Sequence, residues 1–220
     1  THMAVSSARG MRDFLPRDKE HRDQVLHTIE STYHRHGFES IETPAMEDFD
    51  TLHSGLGGDN EKLSFHIQKR GLSSEDLQQA SSPEELSDLG LRFDLTVPLA
   101  RFYASNHGAL PSVFRSFHTG PVWRAERPQK GRYREFYQCD VDVIGSNSLL
   151  NEAELLCIVD EVFTNLGLND VRIRINNRKI LSGIAASAGM SEHFQSMTVA
   201  IDKLDKIGPE GVKEEMLRNG

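Results

Sequence analysis

Only two cysteines and one tryptophan occur in the 220 residues, and no apolar run approaches the roughly 20 residues that a bilayer-spanning helix needs. Cys139 falls in a predicted strand and Cys157 in a predicted helix, and their spacing fits neither a metal site nor a disulfide framework. That argues for a reducing, cytoplasmic setting with no membrane partner and no resident metal. No signal-peptide apolar region follows the N-terminus. Thr1-His2-Met3 resembles the remnant of a cleaved tag, so residues 1–8 are set aside as scar and lead-in. Positive charge is also scarce: 25 Lys and Arg stand against 33 Asp and Glu, a formal net charge of −8 at pH 7. This excludes diffuse, whole-surface binding of nucleic acid, which rests on neutralising many phosphates. A polyanionic ligand has to be met locally. There is no internal repeat, and 37% hydrophobic with 26% charged residues describes an ordinary globular chain with ample core.

The local exception to the acidic balance runs from Val122 to Gly145, VWRAERPQKGRYREFYQCDVDVIG. Between Val122 and Glu135 five basic residues (Arg124, Arg127, Lys130, Arg132, Arg134) face two acidic ones (Glu126, Glu135). Apolar and polar residues alternate from Arg134 to Val143, and Pro128-Gln129-Lys130-Gly131 reads as a turn, so the stretch is predicted to be a long hairpin. Period 2 places Arg134, Phe136, Gln138, Asp140 and Asp142 on one strand face and Tyr137, Cys139, Val141 and Val143 on the other. One face is core. The other is polar chemistry with a single ring in it.

Ahead of the hairpin, Arg9 to Pro16 is an extended lead-in. Val25, Leu26, Ile29 and Tyr33 recur at helical spacing between Asp18 and His36, with Gly37 as the stop. Phe38 to Glu42 alternates as a short strand that Pro44 ends. The glycine-rich Gly55 to Asn60 lacks the lysine of a P-loop and is read as a loop. Ser64 to Gln68 and Leu91 to Asp94 are predicted partner strands, with Leu72 to Asp88 an exposed excursion or short surface helix between them. Thr96 is the expected N-cap of a helix that presents Leu99, Phe102 and Tyr103 inward and stops at Gly108. Ser112 to His118 is strand-like.

Behind the hairpin, Asn151 and Glu154 have capping-box spacing for a helix with Leu155, Ile158, Val159, Val162, Phe163 and Leu166 on one face, ending at Gly167. Val171, Ile173 and Ile175 alternate as a further strand. A helix through Ile180, Leu181 and Ile184 ends near Gly189, and the tail reads as a helix from about Met197 to Ile207 and another started by Pro209. Hairpin-joined strands with intervening helices give an α+β fold, a mainly antiparallel sheet flanked by helices.

Trp123-Arg124-Ala125-Glu126, a basic turn, then Arg132-x-x-x-Phe136 resembles motif 2 of class II aminoacyl-tRNA synthetases. The longer string ERPQKGRYREFYQCDVDVIG is similar to histidyl-tRNA synthetases, as are RGMRDFLP at Arg9 to Pro16 and LRFDLTVPLAR at Leu91 to Arg101. The resemblance runs from Arg9 to about Leu217. Trp123 departs from the Phe usual in the broader class, a change between bulky aromatics.

The resemblance implies a class II synthetase-like catalytic core over 9–189 and the start of a helical insertion over 190–220. It implies that histidine is activated by ATP with Mg²⁺ and transferred to tRNA(His), in a cytoplasmic homodimer. Attack of a carboxylate on the α-phosphorus of ATP brings two anions together, so positioning and charge stabilisation carry the reaction. Arg124, the catalytic candidate, would hold the α-phosphate and the histidine carboxylate, and Arg132 the distal phosphates. Glu126 would accept from the adenine amino group and Phe136 would stack on the ring. Asp94, Leu95, Thr96, Gln138 and Asp142, with Arg124, would form the histidine pocket, Asp94 or Asp142 pairing its ammonium or imidazole donors. Gln138 and Asp142 lie about 13 Å apart along the strand, enough to frame a small ligand. Gln129 and Lys130 would meet the acceptor end of tRNA, and Pro44 corresponds to the proline closing motif 1 at a dimer interface.

In the absence of a ligand the same arginines could form a solvated hairpin with weak ion pairs, and Asp94 or Thr96 could cap the following helix. The family's histidine-specific arginine motif, its motif 3 arginine and its anticodon-binding domain do not occur before Gly220, so the chain is expected to be a fragment that is weak or inactive alone. Two rival readings are a synthetase-like regulatory subunit of ATP phosphoribosyltransferase and a non-enzymatic RNA-binding module. Retention of the full basic hairpin weighs against the first.

Overall fold

In the computed structural model, which describes residues 5–53 and 63–218, the long hairpin is the central feature. Strands β5 (Phe114–Trp123) and β6 (Glu135–Ile144) pair antiparallel over their whole length, from Phe114 opposite Ile144 to Trp123 opposite Glu135. A two-residue strand, β1 (Glu39–Ser40), joins the other side of β5 in parallel, giving the order β1-β5-β6. A second sheet is antiparallel throughout, with β4 (Ser87–Leu91) between β2 (Met46–Asp48) and β3 (Phe65–Gln68). The fold is therefore α+β with mainly antiparallel sheets flanked by helices.

Two long helices cover one face of the hairpin. They are α1 (Pro16–Arg35) and α5 (Leu150–Asn165). They end where Gly37 and Gly167 take positive φ, 76° and 77°, as their sequences predict. Tyr33, Phe38, Phe117, Ile158 and Val162 form the core between them, with Cys139, Val141 and Val143 of β6 packed against it. The predicted apolar face of β6 is thus the core face, apart from Tyr137, which is exposed beside Arg22. Burying a ring such as Phe117 contributes about 2–3 kcal/mol. The Tyr33 hydroxyl donates to the Cys139 carbonyl at 3.0 Å. Burial raises the pKa of this hydroxyl and pushes the Cys139 thiol up to about 11.

β5 is buried on both faces. Ser116, His118 and Val122 are as inaccessible as Phe117 on the opposite side; on their face, helix α4 (Thr96–Asn106) meets Phe114 and Arg92, ahead of that helix, meets Gly120. Phe102 and Tyr103 of α4 stack on Phe114 at 6.2 and 6.3 Å. Arg101 of α4 grips the buried Glu47 of β2 through both carboxylate oxygens at 2.8–2.9 Å. α2 (Phe49–His53) follows β2, and α3 (Ser74–Gln79) opens on a capping box between Ser73 and Asp76, within the predicted excursion.

The chain separates into two compact units, 1–171 and 172–220. The second holds α6 (Arg178–Ser187), α7 (Phe194–Ile201) and α8 (Leu204–Arg218). Among the described residues no helix is long and apolar enough to cross a membrane.

Several local expectations are corrected. The strand predicted at Leu91 to Asp94 lies earlier, because Arg92 donates its N–H to Ala45 and its carbonyl accepts from Trp123, outside the ladder. Thr96 is the first residue of α4, and the capping oxygen is Asp94 Oδ1, which accepts from Val97 N at 3.2 Å. No capping box starts α5: Asn151 Nδ2 donates to Ser146 Oγ and Glu154 is held by Arg115. Val171, Ile173 and Ile175 form no ladder and are exposed, since alternation specifies two faces and supplies no partner. Arg134 precedes β6, its N–H drawn off to Gly10 O. The first tail helix divides at Asp202, whereas the break expected before Pro209 is present at Gly208, where φ is 70° and ψ 174°. The predicted loop at Gly55 to Asn60 lies outside the described residues.

Candidate active site on the hairpin face

The face of β6 turned away from the core carries Phe136, Gln138, Asp140 and Asp142, opposite Val122, Gly120, His118 and Ser116 of β5. Antiparallel pairing sets these side chains side by side across the strands. At the turn end, the Arg124 guanidinium lies 5.0 Å from the Phe136 ring centroid and its Nε donates to Phe93 O at 3.0 Å. A cation over a ring at this distance is a cation–π contact. The backbone bond that Arg124 N donates to Arg134 O at 2.9 Å extends the ladder past the strand ends.

The loop from Arg124 to Arg134 closes on a tight turn. Gln129 and Arg132 exchange both backbone hydrogen bonds, at 3.1 and 2.9 Å, around Lys130 and Gly131. Gln129 and Lys130 point into solvent. Arg132 Nη1 lies 3.3 Å from Glu126 Oε2, both side chains partly exposed. The resemblance gives these two residues different parts of one nucleotide, yet here they bind each other. An exposed pair of this kind is weak and easily exchanged for another partner.

Further along β6, Gln138 Nε2 donates to Asp140 Oδ1 at 3.3 Å, while Gln138 Oε1 is buried without a partner among the described residues. A buried amide oxygen left so is costly unless something polar reaches it. Burial raises the pKa of Asp142 to about 6, with Asp140 adding to the effect. Asp140 is likewise raised by burial and by Asp94, and lowered by its bond to Gln138 and by Arg124. Asp94, Asp140 and Arg124 are therefore electrostatic neighbours. Leu95 is fully buried behind Asp94, and Thr96 is exposed at the start of α4.

Two residues that the sequence reading did not single out complete the floor. Arg92, 4% exposed, donates to Thr43 O at 2.8 Å, Thr43 Oγ1 at 3.2 Å, Pro44 O at 3.4 Å and Pro121 O at 2.9 Å. Its Nη2 occupies the space above Gly120, where a Cβ would lie 2.5 Å away. His118, buried beside it, has its pKa pushed down to about 4 by burial and by the Arg92 charge, and its Nδ1 has no partner among the described residues. Ser112 to His118 is strand-like in sequence, which gives no sign that its histidine is buried. Pro44 is exposed, its carbonyl at the edge of the Arg92 network.

Residues 10–208 match the family model described as histidyl-tRNA synthetase. The chain belongs to the histidyl-tRNA synthetase family. It is 54% identical over 216 residues to the histidine–tRNA ligase of Leifsonia xyli subsp. xyli, covering 96% of this chain and 50% of that relative. The histidine–tRNA ligase of Bacteroides fragilis is 48% identical over 220 residues, covering 96% of this chain and 48% of its own. Among solved structures, histidyl-tRNA synthetase from Nostoc sp. PCC 7120 superposes with a TM-score of 0.80 at 33% identity, over 99% of this chain and 46% of that one. The chain spans about half the length of the curated relatives it matches. Membership of the synthetase family agrees with the resemblance carried by the hairpin string.

Proposed function

We propose that this chain carries the hairpin half of a histidine–tRNA ligase site, which activates histidine with ATP and passes it to tRNA(His). The observation that carries the reading is the outward face of β6. A guanidinium and a ring stand at the turn end, and further along a buried amide oxygen, without a partner among the described residues, stands beside carboxylates. The first suits a phosphate and a nucleobase; the second suits a small cationic amino acid.

Arg124 sits where it can neutralise the α-phosphate and the attacking histidine carboxylate together, and Phe93 O and Phe136 restrict its swing. Phe136 offers its ring to adenine. Arg132 and Glu126, freed from each other, would reach the distal phosphates and the adenine amino group. Gln138, Asp142 and Asp94, with Leu95 and Thr96 at the entrance to α4, receive the histidine ammonium and imidazole. A pocket that satisfies both imidazole nitrogens rejects isosteric side chains, because its buried polar groups would go unpaired. Gln129 and Lys130, on the exposed turn, meet the acceptor end of tRNA. No group of three acidic, histidine or cysteine side chains among the described residues could hold a metal ion. Mg²⁺, which keeps several waters and binds through phosphates, would enter as part of the nucleotide substrate. In this reading the whole enzyme would act in the cytoplasm as a homodimer, with Pro44 near the contact, and a core over 9–189 would lead into a helical insertion over 190–220.

The test is calorimetry on this chain with histidine, ATP and a non-hydrolysable histidyl-adenylate analogue. The analogue should bind tightest, because it alone engages both ends of the face. Histidine binding with no response to ATP or the analogue would refute the reading in favour of a binding-only subunit. Salt-sensitive RNA binding unaffected by Phe136→Ala and Gln138→Ala would refute it in favour of an RNA-binding module.

A further inference from the structure

The segment before α1 is absorbed by none of the roles above, yet it touches the basic loop closely. Arg12 Cζ lies 3.8 Å from the Tyr133 ring centroid and 4.7 Å from that of Phe14. Arg22 of α1 lies 4.2 Å from the Phe14 ring and 4.5 Å from the Tyr137 ring. Rings and guanidiniums therefore alternate in the order Tyr133, Arg12, Phe14, Arg22, Tyr137. At the same place Gly10 O accepts from Arg134 N at 2.7 Å. Gly10 has φ +83°, and a Cβ there would lie 2.9 Å from Arg134 Cγ and Cδ and 3.1 Å from Pro128 Cγ. The missing side chain is what lets the lead-in lie against the loop.

Within itself the loop is held by one tight turn, by Arg124 N donating to Arg134 O and Arg134 Nε donating to Glu126 O, both at 2.9 Å and both near its base, and by an exposed 3.3 Å pair between Arg132 and Glu126. A two-stranded ribbon so supported is marginal in water. α1 is fixed by Tyr33 in the core, so a stack that starts at Arg22 and ends at Tyr133 transmits that rigidity to the residue next to Arg132. We infer that Arg12 is a positioning residue, whose guanidinium between Phe14 and Tyr133 fixes the 124–134 loop so that Arg132 is held ready for the nucleotide. The nucleotide part rests on the proposed function; the restraint on the loop does not. A lysine would supply charge without the planar surface that stacks on two rings.

The experiment uses the whole 220-residue chain and reads two quantities. Trypsin cleavage after Lys130 and Arg132, without nucleotide, should accelerate about 5- to 30-fold in Arg12→Ala, the loss of two exposed cation–π contacts. Cleavage after Arg178 and Lys203 should not change. ATP affinity should fall by a similar factor while histidine affinity stays as in the wild type. Arg12→Lys should recover part of both, Tyr133→Phe should match the wild type, and Tyr133→Ala should match Arg12→Ala without adding to it. Unchanged loop cleavage, equal acceleration at all sites, equal losses for ATP and histidine, or full additivity of Arg12→Ala with Tyr133→Ala would each overturn the inference. Selective loosening of the loop in a chain that does not bind ATP would uphold the brace and remove the nucleotide reading instead.

Discussion

Arg92→Met tests whether the floor of the site is a single hydrogen-bonded unit. The methionine keeps much of the aliphatic stem and removes a guanidinium that joins Thr43 and Pro44 to Pro121. The two short bonds, at 2.8 Å to Thr43 O and 2.9 Å to Pro121 O, are charge-assisted and contribute about 1.5–3 kcal/mol each. Relief of the buried charge, whose desolvation lowers the Arg92 pKa, offsets part of this, leaving a net loss of about 3–4 kcal/mol. Trp123, the one tryptophan in the sequence, donates its backbone N–H to Arg92 O at 3.0 Å, so its fluorescence reports this region. With a urea slope of about 2 kcal/mol per molar, the midpoint should fall by about 1.5–2 M. Gly120→Ala places a Cβ 2.5 Å from Arg92 Nη2 and should cost about 1–3 kcal/mol by displacing it. In the Arg92→Met background most of that penalty should vanish, a coupling of at least about 1 kcal/mol. A midpoint shift below about 0.5 M, or simple additivity of the two substitutions, would refute the reasoning.

Much of this arrangement is legible in the residues of β6. Cys139, Val141 and Val143 declare the core face, and Phe136, Gln138 and Asp142 the other, because a pleated strand separates odd from even positions regardless of what packs on it. The stops at Gly37, Gly167 and Gly189 are legible for a similarly local reason, the ease with which glycine adopts positive φ. Arg92 was not legible. Its role depends on three carbonyls from Thr43, Pro44 and Pro121, which only the tertiary fold brings together. The strand assigned to Leu91–Asp94 failed through the same residue, whose backbone pairs with Ala45 and Trp123 rather than with a ladder neighbour. Capping shows the limit in miniature: Thr96 and Asn151 are suitable cap residues, but Thr96 lies within the first turn that Asp94 caps, and Ser146 claims the Asn151 side chain. Val171, Ile173 and Ile175 have strand chemistry and no strand, since backbone pairing is a property of two segments.

Arg101→Ala should destabilise unit 1–171 by about 3–5 kcal/mol, because Glu47, whose side chain is 4% exposed, would lose its bidentate partner. Thermal unfolding should show the double variant Glu47→Gln, Arg101→Met recovering most of the loss, and a loss under about 1 kcal/mol for Arg101→Ala would contradict a buried pair. The pH dependence of stability separates Asp142 from His118. Asp142 has its pKa raised from 3.8 to about 6, so between those values the folded chain binds more protons than the unfolded one, and stability falls as pH rises. His118 has its pKa lowered from 6.5 to about 4, so across that window the unfolded chain binds more protons, and stability rises with pH. The slopes oppose each other, and each is below the limit of about 1.4 kcal/mol per pH unit because the folded and unfolded states differ by less than one bound proton within each window. Asp140 adds to the Asp142 slope through burial and Asp94, while Arg92 is the charge that sustains the His118 slope. Relative to wild type, Asp142→Asn should make the midpoint of chemical unfolding climb more steeply from pH 4 to 6, and His118→Asn should make it decline. Identical pH profiles for the three proteins would mean that neither group is perturbed by the hairpin face. A histidine ligand would reverse the first effect, because its positive charge favours ionised Asp142, and the Asn variant should then lose histidine affinity most at pH 7.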